Sequence, residues 1–263
     1  MKIIVCVKQV PATNEVKMDP VTNTIIREGV ESILNPFDTY AIEEAIRIKE
    51  KQGAQITALS MGIPSVVTLL QEAVSLGVDD AILLSDRAFA GADTMATAYT
   101  LQLGVESIGD YDLILCGKMA TDGDTAQVGP MLAEVLGIPQ ITDVGEILEI
   151  GTDFILCRRM TDDGYETVKS KLPAVITVTK EINIPRLPSI AGMKRGKAAK
   201  VPVMTSKDFQ LEAERIGLSG SPTQVVRTFI PSHDIASEVL TGSPTEQAEA
   251  LIEKLREQKL LNW

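Results

Sequence analysis

The chain has 263 residues, 44% of them hydrophobic, with a mean hydropathy of +0.12, enough for one large domain and an appendage around a mainly aliphatic core. A formal net charge of −11 and a sequence pI of about 4.7 argue against nucleic-acid binding, and aromatics at 4% leave little stacking surface for single strands. Three dispersed cysteines (Cys6, Cys116, Cys157) with no CxxC pair, and a single histidine, His233, argue against a disulfide framework and a zinc site, so no metal is expected.

Met1-Lys2 runs into the short apolar segment 3–7 without a cleavage-site pattern, so a secretory signal is not expected. Residues 55–71 are the longest uncharged stretch, but Gly62 and Pro64 break them, so no membrane span is expected. With thiols suited to a reducing compartment, the expected location is cytoplasmic.

Short apolar runs alternate with helical patterns. Residues 3–7, 55–61, 81–84 and 113–116 read as buried strands. Residues 36–51, 66–76 and 94–108 read as helices, and a fourth helix reaches Gly137. Asn35 is a candidate cap for the first helix, and Asp93 or Thr94 for the third. Repeated strand–helix units with continuous apolar strands predict an α/β fold, a parallel sheet with helices on both faces. Segments 154–159 and 165–171 flank Thr161-Asp162-Asp163-Gly164 as a hairpin. With 174–179 they are expected to form an antiparallel edge. After Ile182 the prolines 185, 188 and 202 and the basic stretch 194–200 predict an extended C-terminal arm. A final helix is signalled by the capping box Ser243-Pro244-Thr245-Glu246, with Ala248, Leu251, Ile252 and Leu255 in one apolar stripe. The expected division is 1–182 and 183–263.

One loop carries most of the chemistry. Gly117-Lys118-Met119-Ala120-Thr121-Asp122-Gly123-Asp124-Thr125-Ala126-Gln127-Val128-Gly129-Pro130 follows the fourth strand directly. Ligands of open parallel sheets sit outside the carboxyl ends of the strands. Glycines allow close backbone approach, Thr125 and Gln127 offer neutral hydrogen bonds, and the next helix presents free N–H groups to a diphosphate. Asp124 with Gln127 three residues on fits a capping box, although Pro130 also allows a helix start at Gly129. Either way the anion contacts are backbone and hydroxyl. GxGxxG and GxxxxGK[ST] are absent, so classical dinucleotide and P-loop sites fit poorly. Asn35-Pro36-Phe37-Asp38 and the loop from Asp86 to Thr94 are placed by the same pattern at the same sheet edge.

Together with Val5-Cys6-Val7-Lys8-Gln9-Val10-Pro11, Ser60-Met61-Gly62, Asp162-Asp163-Gly164 and Gly220-Ser221-Pro222-Thr223, these segments resemble the beta subunit of electron transfer flavoproteins over nearly the whole chain. The resemblance implies a Rossmann-like nucleotide domain and a C-terminal arm that wraps an alpha subunit. It carries nucleotide contacts onto Cys6, Asn35, Pro36, Phe37, Asp38, Met61 and every residue from Gly117 to Val128. Members of the family hold either a structural AMP or, in the electron-bifurcating branch, a second FAD. The 86–94 segment and Asp122-Gly123-Asp124-Thr125 look like the bifurcating branch, which would place Ala88, Phe89, Asp93 and Thr94 near the flavin.

By the same resemblance NADH is the electron donor or acceptor, and ferredoxin or flavodoxin takes single electrons. A flavin dehydrogenase of the acyl-CoA or 2-hydroxy-acid type docks on the stretch 185–200, with Ile190 as aliphatic anchor. No side chain is implied as a catalytic acid or base. Met119 stands where glutamine is usual, and Cys157 replaces a small aliphatic residue. The alternatives are an AMP-holding, non-bifurcating beta subunit and a stand-alone ATP-binding stress-type protein, against which the arm and the hairpin argue.

Overall fold

A computed structural model of the chain describes residues 1–12, 31–226 and 237–261; His233 lies outside them. The described residues fall into two units, Met1–Val226 and Arg227–Trp263, and each is treated by itself.

In the first unit β1 (Lys2–Cys6) is buried almost throughout. A short antiparallel pair follows, β2 (Gln9–Pro11) with β3 (Ser32–Leu34). Then come α1 (Pro36–Gln52), β4 (Gln55–Met61), α2 (Val66–Leu76), β5 (Asp80–Leu84) and α3 (Thr94–Ile108). The chain continues through β6 (Leu113–Gly117), α4 (Val128–Leu136), β7 (Gln140–Ile150), β8 (Phe154–Thr161), β9 (Gly164–Lys171) and β10 (Ala174–Val178). Helix α5 (Ile190–Ala198) and β11 (Val203–Met204) complete the regular elements of this unit.

Nine strands form one sheet in the order β11-β5-β4-β1-β6-β10-β7-β8-β9, parallel from β11 to β7 and antiparallel at β8 and β9. Helices α1 and α2 cover one face and α3 and α4 the other, so the central strands present aliphatic side chains on both sides. Each fully buried Ile or Leu there contributes about 1.5–3 kcal/mol, which accounts for a core nearly free of aromatics.

The structure corrects two expectations. Strand β10 is not part of the antiparallel edge: it lies between β6 and β7, parallel to both, with all five residues buried. Its unbroken Ala-Val-Ile-Thr-Val run is the pattern of a strand covered on both faces rather than of a half-exposed edge. Strand β7 fills the stretch after Gln140, and β11 adds a parallel strand beside β5.

The stretch 190–198, expected to be extended, is helical. Ser189 caps α5 by accepting from the Gly192 amide. A Cβ on Gly192 or Gly196 would overlap the carbonyl oxygen of Ser75 or Gln71, so these glycines let α5 lie directly on the backbone of α2. Arg195 Nη2 donates to the Val74 carbonyl (2.9 Å), and Gln71 Nε2 to that of Ala199 (3.0 Å). Just upstream, Arg186 pairs with Glu43 and Glu50 of α1, and Asn183 donates to Tyr40 O and Glu44.

In the second unit α6 (Pro244–Glu257) starts as expected. Ser243 and Glu246 form the reciprocal capping box, with Pro244 in the first turn. Leu251 and Ile252 of the apolar stripe are exposed at 48% and 37%. Among the described residues no helix is long and apolar enough to cross a membrane.

Candidate functional site

From β1 the chain builds β4 and β5 on one side, then crosses to place β6 on the other. The carboxyl ends of β1 and β6 therefore flank a topological switch point, the preferred crevice for ligands of such sheets. Cys6 and Cys116 are register partners at these two ends, both buried, and Met61 ends the neighbouring β4. The start of α1, the 86–94 loop and the 117–128 loop all emerge at this edge. The structure thus brings the sequence-selected segments to one side of the sheet, and Ile190 lies apart on α5.

Helix α1 comes close enough to β6 that only glycine fits at 117. A Cβ there would overlap the Asp38 carboxylate and lie 2.6 Å from the Phe37 carbonyl carbon. Pro36 and Phe37 open the helix. Asn35 stands at the cap position, but its side chain makes no capping bond. Instead Nδ2 donates to the Met119 carbonyl (2.8 Å), and Oδ1 accepts from the Thr121 amide (3.2 Å). A buried amide thereby fixes the first half of the 117–128 loop.

Residues 117–120 are half-buried and 121–127 exposed. Lys118 pairs with Asp143 (2.7 Å), and Lys8 grips Asp122 through both carboxylate oxygens (2.7 and 2.9 Å). Asp124 and Ala126 adopt positive φ (51° and 53°), so this stretch is a turning loop and not a helical first turn. Helix α4 starts at Val128 with Gln127 as an unbonded cap, and the capping box considered for Asp124 is not formed. The first N–H groups of α4 have no intrahelical partner and lie at the positive end of the helix dipole.

On the other side Phe89 points into the core with Tyr99 and Leu132, whereas Ala88 is exposed. Asp93, not Thr94, caps α3, accepting from the Met95 and Ala96 amides (both 3.0 Å). Its second oxygen holds the Thr223 amide and hydroxyl (3.0 and 2.8 Å), and its own amide donates to Ser221 Oγ (2.8 Å). Asp86 likewise accepts from the Ala88 amide and from Ser206. Both carboxylates are taken up in fastening segments 205–208 and 217–223 across the loop. Thr94 Oγ1 donates to Gln127 Oε1 (3.1 Å), which joins the two loops.

Lys8 and Thr223 were outside the candidate residues, although both sit in motifs the sequence singles out. What the sequence lacks is the chain distance: their partners lie 114 and 130 residues away.

Among the described residues, the lysines beside the loop, Lys8 and Lys118, are already paired with Asp122 and Asp143. What remains for an anion is main-chain N–H in an exposed turning loop, hydroxyls, and the open start of α4. That donor set fits a phosphodiester, whose oxygens accept and need no proton from the protein.

These features define a Rossmann-like α/β protein whose loops converge at the switch point of its sheet. The model of the electron transfer flavoprotein domain matches residues 22–208. The electron transfer flavoprotein subunit beta of Thermoanaerobacterium thermosaccharolyticum is 48% identical over 99% of this chain and 100% of its own length. The subunit of the same name from Clostridium acetobutylicum is 44% identical, over 98% and 99%. The caffeyl-CoA reductase-Etf complex subunit CarD of Acetobacterium woodii is 44% identical, over 99% and 100%. The chain belongs to the electron transfer flavoprotein family, as a beta subunit.

Proposed function

We propose that the chain, paired with an alpha subunit, binds FAD and passes electrons between NAD(H), ferredoxin or flavodoxin and a partner flavin dehydrogenase by flavin-based bifurcation or its reverse. The observation that carries the reading is the 117–128 cradle. Its amides and the α4 start would hold the diphosphate of FAD, with Cys6, Asn35–Asp38 and Met61 lining the adenosine side and Ala88 and Thr94 facing the ring. Bound there, FAD supplies hydride acceptance and the release of electrons one at a time; the protein supplies position and electrostatics. Likeness to the CarD subunit, named for a reductase complex, supports a CoA-ester reductase or dehydrogenase as partner. So does the surface formed by Ile184, Leu187 and Ile190, exposed at 83%, 90% and 72% and held in place by Arg186 and α5.

One observation favours a second reading, a beta subunit holding only AMP. Phe89 is buried in the core and offers no face to a flavin ring. Cofactor analysis of the chain co-expressed with its alpha subunit tests both. Two FAD per heterodimer supports bifurcation, and one FAD with one AMP assigns the structural role. A stable ATP-hydrolysing monomer would return the stand-alone ATP-binding protein.

A further inference from the structure

Asp38 lies at the centre of the candidate site with its side chain turned inward. It is 6% exposed and accepts from the Lys8 amide at 2.7 Å. The carboxyl also lies directly against the Gly117 backbone, where a Cβ would overlap its Oδ1. One side chain therefore ties the exit of β1, the exit of β6 and the start of α1, the three chain segments from which the cradle rises.

The groups facing it are few. From the chain just past β1 comes the Lys8 ammonium, held by Asp122; from β6 comes the Cys116 thiol, beside its register partner Cys6. Asp38 is the only acid in the first turn of α1, and the next cation along the loop, Lys118, is held by Asp143. Among the described residues the cation acting on Asp38 is Lys8, and Asp122 already holds it.

We propose that Asp38 is a positioning residue for the nucleotide, and that the anionic ligand binds with this carboxyl protonated, so that binding takes up a proton. The proposal rests on the nucleotide reading of the cradle. A diphosphate over Gly117 and an ionised carboxylate beneath it are like charges, and because the carboxylate is buried the site relieves the repulsion by protonating it. Burial pushes Asp38 up to about 7, against the opposing pull of Asn35, Lys8 and Gly117, so both forms are populated near neutrality before the ligand binds. The Cys116 thiol, pushed well up by the neighbouring Cys6 and by burial, does not compete in this range.

The test is titration calorimetry of the full chain, stripped of nucleotide, with ADP-ribose, whose phosphodiester has no ionisation near neutrality. In two buffers of different ionisation heat, about half a proton should be taken up per ligand near pH 7. Affinity should fall about thirtyfold between roughly pH 6 and pH 8.5. Asp38→Asn, which keeps an acceptor for Lys8, should bind with a flat pH profile and no proton uptake. Wild-type binding without proton exchange overturns the proposal and leaves the nucleotide reading standing, as does a variant that keeps the wild-type pH profile. If Asp38→Asn does not fold, the wild-type proton count decides alone. Absence of ADP-ribose binding at every pH overturns the nucleotide reading and this proposal with it.

Discussion

Two buried or bonded carboxylates make the fold respond to pH in opposite senses. Asp86 is held down to about 2, first by the Ala88 amide and then by Ser206. A depressed folded pKa gives stability that is present above the ordinary carboxylate range and lost as pH falls towards about 2. Asp86→Asn should therefore lower the urea midpoint at pH 7, with the gap to wild type closing as acid is added. Asp38 is raised to about 7 by burial, so its contribution is full below about 4 and is lost as pH rises through 7. Asp38→Asn should gain on wild type over that interval, and parallel midpoint curves for the two proteins would refute the assignment. Asp122→Asn should free Lys8 for the ligand, tightening ADP-ribose binding about two- to fivefold, in line with a half-exposed ion pair, with the gain vanishing in high salt. Asp124→Lys should not tighten it, because the anion is held by amides. At this scale the sequence identified Asn35 and Asp93 as important and mistook what one of them does. A buried amide at a cap position caps nothing when a closer loop offers it both a donor and an acceptor.

The strand–helix alternation from β1 to α4 was legible because each strand is a continuous aliphatic run and each helix has its own period. Two elements were hidden for physical reasons. The place of β10 depends on a crossover that brings residues 174–178 back beside β6, and local pattern carries no record of that neighbour. Helix α5 has no apolar stripe to read, because its buried face is made by Gly192 and Gly196 against the α2 backbone. That contact makes a sharp prediction. Gly196→Leu has to push α5 off Gln71 and Ser75, and overpacking of this kind costs about 1–3 kcal/mol. Trypsin should then cut faster at Lys194, Arg195 and Lys197 while ADP-ribose affinity stays at the wild-type value. A loss of nucleotide binding instead would mean that α5 supports the cradle.

For the whole molecule, family membership was legible because several motifs recur in order along nearly the entire chain, whereas any single loop would have been ambiguous. The chain also carries a helix none of whose described side chains is buried. In α6, Leu251 and Ile252 are exposed on a helix whose capping box and Lys254–Glu238 pair (2.7 Å) secure its start and flank. A 14-residue amphipathic helix is marginal in water without a packed face, so its stability has to come from a partner. In an electron transfer flavoprotein beta subunit that partner is expected to be the alpha subunit. Leu251→Asp with Ile252→Asp should abolish co-elution of the two subunits in size-exclusion chromatography. The isolated chain should keep its ADP-ribose affinity, because residues 1–226 contain every element of the cradle. Co-elution undiminished by the double substitution would free α6 of this role and move the search for the alpha contact to the exposed face of β8 and β9, where Arg158 lies over Tyr165.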